Sequence, residues 1–217
     1  MPGQNSEERG AQIRAAIAEL PSPSWLASYT EGARSLGQAV GSVLAGSSRP
    51  QPAAVVRDTS ELDKLLTTAQ QQIMAAIQHI GQYAAREGYA GADSNGANWH
   101  GATPESVGGS PEATLASIAK FVGSAQKSLQ PQPLQQGARQ IASGRSRLSG
   151  IAGPMAPAEI SNAVGALGQA QKALEDSASR VASINRELGD YLTAALGAPG
   201  ATPTGTKAPA GADNTRG

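Results

Sequence analysis

Pro131-Gln132-Pro133-Leu134-Gln135-Gln136-Gly137-Ala138-Arg139 sets a double-proline break a few residues ahead of a Gly-Ala-Arg triplet. The same punctuation stands upstream, with Pro21 and Pro23 as the break and Gly32, Ala33 and Arg34 as the triplet. Proline fixes φ and has no amide proton, so a Pro-x-Pro pair stops a helix. Around these anchors the chain reads as an all-α, elongated bundle of about six helices. Two related three-helix units cover residues 1–88 and 110–197, with a Gly/Ser/Asn-rich linker at 89–109 and a disordered tail at 198–217.

Apolar spacing fills in the helices. Ile13, Ile17 and Leu20 share one stripe before the first break. Ser22 or Ser24 caps the second helix, along which Tyr29, Ala33, Leu36, Val40 and Val43 alternate steps of four and three, with Gly46 as its stop. Pro50 and Pro52 hold Ser47 to Arg57 as an extended loop. Asp58 and Glu61, at capping-box spacing, open a long third helix that runs to about Glu87. Its inward face is Leu62, Leu65, Leu66, Ala69, Ile73, Ile77, Ile80 and Ala84.

In the second unit, Ser110, Pro111 and Glu112 form a helix start, followed by Leu115, Ile118, Val122, Ala125 and Leu129. The fifth helix carries Leu134, Ala138, Ile141, Leu148 and Ile151, with Arg145 on the same stripe and its head snorkelling outward, and ends at Gly153. The sixth, from about Pro157 to Leu196, bears a seam of about five heptads through Leu174, Val181 and Leu188. Packing that seam against the third helix makes the spine of the bundle. The alternative is that each long helix pairs with its copy in a second molecule, so a homo-oligomer is a candidate state.

Composition excludes several chemistries. Aromatics make up only 3% of 217 residues, so burial rests on Ala, Leu, Ile and Val, which argues against a deep small-molecule pocket. Seventeen basic residues balance seventeen acidic ones, leaving no broad positive field for nucleic acid. With no cysteine there is no disulfide, thiolate nucleophile or thiolate metal site. The N-terminal residues lack the basic start and apolar core of a signal peptide, and no apolar run is long enough to span a bilayer. The Ala, Gly and Pro bias points to a GC-rich bacterial genome.

Candidate chemistry is sparse. His79 and His100 have no companion ligands at metal-binding spacing, and no serine stands in a nucleophile motif. Asp93, Ser94, Asn95 and Gly96 open like a calcium loop, but no acidic residue closes it, so a turn is the reading. Gly37 and Gly41 form a G-x-x-x-G on a helix too polar for a membrane, which suits close packing of two soluble helices. No cofactor or metal is expected.

Trp99, His100 and Gly101, lying between helical segments, form a W-x-G. Tyr83 with Glu87, and Tyr89 with Asp93, supply Tyr-x-x-x-acid pairs. In these features the chain resembles the W-x-G helical-hairpin proteins exported by bacterial type VII secretion. In that family the tyrosine motif follows the second helix, whereas both pairs here precede the W-x-G. The resemblance implies a non-enzymatic interaction or scaffold protein, cytoplasmic or exported without a signal peptide. It makes Trp99, Gly101, Tyr89 and Asp93 the partner or export candidates, beside the assembly seam of Leu174, Val181 and Leu188. The rival readings are an enzyme with a site between subunits and a nucleic-acid adaptor using Arg139, Arg145, Arg147 and Lys172.

Overall fold

The computed structural model describes residues 2–44, 49–89, 99–104, 115–152 and 156–196. These residues form helices α1 (Pro2–Ala18), α2 (Pro23–Val43), α3 (Gln51–Arg86), α4 (Leu115–Ser128), α5 (Gln132–Ala152) and α6 (Ala158–Leu196), with no strand among them. The protein is all-α. The expectations for Ser110 as a helix start, for Gly46 and Gly153 as stops, and for the tail at 198–217 lie outside the described residues.

α3 and α6 run along each other as the spine, with 36 and 39 residues. At 1.5 Å per residue they are roughly 54 and 58 Å long. Leu62, Leu66, Ile73 and Ile80 of α3 and Leu167, Leu174, Val181 and Leu188 of α6 are wholly inaccessible and belong to one continuous apolar cluster. α2 packs on α3 and α5 on α6, while α1 reaches across to α5. That crossing is close because residue 144 is glycine: a β-carbon there would sit 3.0 Å from Leu20 Cδ2 and 3.1 Å from the Ala16 carbonyl. Buried residues from both halves thus share one core.

The start of α3 differs from the sequence expectation. The helix begins at Gln51, and Pro50, read as part of an extended loop, already has helical φ −74° and ψ −25°. Pro52 falls in the first turn, where its missing amide proton has no intrahelical acceptor to serve. Asp58 is therefore no cap but a mid-helix residue, 2% exposed. It pairs with Arg180 of α6 and with Arg57, each at 3.3 Å, and Arg180 also reaches Glu61 at 2.5 Å. The two acids read as a capping box instead grip one guanidinium from the other spine helix.

At the next break Ser22 is the cap of α2. Its side chain accepts from the Trp25 amide, and Pro23 lies inside the first turn rather than ending the preceding helix. Gly37 does serve close packing, since a β-carbon there would run into the Thr59 side chain of α3. Arg145 lies over Gly168, half-buried, its Nη1 3.1 Å from where a β-carbon would be. Among the described residues no helix is long and apolar enough to cross a membrane.

Candidate functional site

Residues 99–104 cross the outside of the bundle as a strap, and their placement follows from the first double-proline break and from Trp25, Gly32 and Gly137 in the helices beneath. The amide of Ser22, free because an N-cap residue precedes the helical ladder, donates to the Trp99 carbonyl at 2.9 Å. Pro21 and Trp99 form an isolated parallel bridge. Trp25, in the first turn of α2, meets the Trp99 ring edge-on, with centroids 4.7 Å apart and planes at 77°. This is the geometry in which the positive edge of one ring faces the negative face of the other. The Trp25 indole N–H donates to the Ala102 carbonyl at 3.4 Å.

Gly101 is the tightest point of the strap. A β-carbon there would lie 2.7 Å from Trp99 Cη2 and 2.9 Å from Trp25 Cζ2. The glycine of the W-x-G is thus required by the two indoles that close around it. At the far end Pro104 is buried over Gly32, where a β-carbon would be 2.9 Å from the Pro104 carbonyl oxygen. Under Trp99 lies Gly137, 3.4 Å from the indole Cζ3 by the same measure. The glycines of both Gly-Ala-Arg triplets therefore seat the strap, one at each end. Trp99 itself is half-buried, and His100, Ala102 and Thr103 are exposed.

Tyr29, on the same face of α2 as Trp25 with ring centroids 5.8 Å apart, donates its hydroxyl to the Gln130 carbonyl at 2.7 Å, at the second Pro-x-Pro break. Burial holds its phenol well above the ordinary range. Each double-proline break is thus tied by an aromatic from a distant part of the chain.

Tyr89 is brought elsewhere. Gly88, at φ +72°, adopts the left-handed backbone after α3. The Tyr89 and Gly88 amides donate to the Ala84 and Ala85 carbonyls at 2.9 and 3.3 Å, a Schellman ending. This turns Tyr89 back onto α1, 3.5 Å from where a Gly10 β-carbon would be, and edge-on to Tyr83 at 5.9 Å. Burial first, then hydrogen bonding with Tyr89, raises the Tyr83 phenol above its usual range. Gly10 and Pro21 are eleven residues apart along α1 and its exit, so Tyr89 and Trp99 contact different stretches of the first unit. Asp93 lies outside the described residues.

Leu174, Val181 and Leu188 are buried within this one chain. Of the candidate basic strip, Arg147 pairs with Glu19 at 2.8 Å and Lys172 with Asp176 at 2.7 Å. Among the described residues no three His, Asp or Glu side chains converge to hold a metal. Sequence reading missed Trp25 and Tyr29 as partners of the linker and of the second break, because nothing local marks a contact across 74 or 101 residues. The signal available was only that both are large aromatics in a chain with few. No protein-family model, curated protein or solved structure matches the chain.

Proposed function

We propose that the chain is a non-enzymatic helical interaction or scaffold protein whose working surface is the W-x-G strap, and that it belongs to a specialised, type VII-like export route. The observation that carries this reading is the fixed presentation of the strap. Trp99 and Gly101 are held by two indoles and two backbone-directed hydrogen bonds, while His100, Ala102 and Thr103 face outward. A surface whose backbone is already ordered loses little entropy when a partner reads it. The ion pairs of Arg147 and Lys172 favour a protein partner over a nucleic acid.

The test is mass spectrometry of washed cells and culture filtrate from the native host, with a cytosolic marker controlling for lysis. Enrichment in the filtrate, lost on Trp99→Ala or Gly101→Val with the helical content retained, is the expected result. Strict retention of the wild-type chain in cells sinks the export reading. We read the two three-helix units as related by duplication: α2 on α3 is matched by α5 on α6, and both triplet glycines seat the strap. Superposing α1–α3 on α4–α6 tests this, and helix directions that do not coincide refute it.

A further inference from the structure

The strap is laid on the helices as a peptide lies in a receptor groove. The groove offers an amide donor at Ser22, an indole wall and N–H at Trp25, and two bare glycine floors at Gly32 and Gly137. Each matches one feature of an extended segment of the form W-x-G-x-x-P: the Trp99 carbonyl and ring, the absent side chain at Gly101, the Ala102 carbonyl and the Pro104 ring. Such recognition combines main-chain hydrogen bonds for affinity with pockets at alternate side chains for selectivity. With the strap away, Trp25 and Ser22, now 3% and 4% exposed, would be uncovered, so the groove favours an occupant.

We infer that this groove is a peptide-binding site for W-x-G-x-x-P segments and that its occupant in trans is residues 99–104 of a second copy of the chain. The copy is the natural donor because it carries the one segment shown to fit. Nine residues join Trp99 to Tyr89 at the end of α3 and ten join Pro104 to α4. Extended, each connector spans roughly 30 Å. Exchange between two copies is reciprocal: both grooves are filled, by the same contacts, in a closed two-fold pair. In one molecule the tether supplies its own segment at an effective concentration of about millimolar, so the pair forms as protein concentration approaches that range. The inference does not depend on the export reading.

The chain has no cysteine, so the pairing can be trapped. Thr103 of the strap and Lys127 of α4 are both exposed and line the same cavity of about 280 Å³. Thr103→Cys and Lys127→Cys chains, each close to wild type in its contacts, are mixed at high concentration under mild oxidation. The expected product is the mixed disulfide dimer, in excess over either like-with-like dimer. Adding Gly101→Val to the Thr103→Cys chain, which prevents that strap from closing over Trp25, lowers the mixed product by about tenfold or more. A mixture that yields only monomers and like-with-like dimers overturns the inference, as does a mixed product insensitive to Gly101→Val. Unlabelled peptide spanning residues 97–106 should suppress the mixed dimer, and failure to do so counts against the groove as the seat.

Discussion

Gly101 shows how a single residue sets the course of the strap. Its α-carbon lies where two indoles meet, and the nearest atoms to an added methyl are ring carbons that are themselves packed. Gly101→Ala should therefore cost about 1–3 kcal/mol, the range for overpacking a filled site. Gly81, within α3, has nothing within 4 Å of where a β-carbon would be. Gly81→Ala should gain up to about 1 kcal/mol through helix propensity alone. Urea titrations of the two variants check both signs, and a stabilised Gly101→Ala would mean the clasp is open in solution.

Between elements, the apolar seam of α3 and α6 holds a buried polar device. Arg180 forks between the buried Asp58 and the part-exposed Glu61. Asp58→Ala, which removes the buried acceptor, should cost about 1–3 kcal/mol, as for hydrogen bonds to charged groups. Glu61→Ala should cost less than about 1 kcal/mol, because a solvated ion pair is worth little. Equal losses in chemical denaturation would contradict the burial that separates them. One residue on, Val181 is wholly buried, and Val181→Glu places an unpaired carboxylate in the seam. A loss of more than about 3 kcal/mol follows, read as a lower melting temperature; an unchanged melt would refute the seam as core.

The apolar stripes of these helices were legible because periodicity is local. Ile13 and Ile17, Leu62 and Leu66, and Leu134 and Ile141 all face inward as their spacing requires. The beginning of α3 was not, since Pro50 and Pro52 satisfy a loop and a first helical turn equally well and only the packing of Val55 and Asp58 against the bundle decides. In the candidate site the W-x-G was visible as a motif, and the need for its glycine was not. That need arises from Trp25, which no spacing rule joins to Trp99.

For the molecule as a whole, phenols buried in the neutral form make alkaline pH a lever on stability. Tyr29 is held above its ordinary value of 10.0 by burial, and Tyr83 is raised in the same direction. A group whose proton is held more tightly in the fold contributes fully below its unfolded value, and that contribution is lost as pH rises beyond it. Stability should be level approaching pH 10 and fall progressively above it, with tyrosinate absorbance appearing alongside unfolding. Tyr29→Phe, which loses the bond to Gln130, should lower stability at neutral pH by about 1 kcal/mol and flatten the alkaline decline. A decline as steep as in the wild type would remove Tyr29 as its source.

Both tryptophans of the chain lie in the clasp, their rings 4.7 Å apart, while the helical backbone extends far beyond it. Indole emission and near-ultraviolet dichroism therefore watch a single locale, and far-ultraviolet dichroism watches the remainder. Heated under both probes, a molecule whose strap belongs to the cooperative unit gives coincident transitions. An indole transition at lower temperature than the helical one would instead reveal a bundle that stands while its strap has already let go.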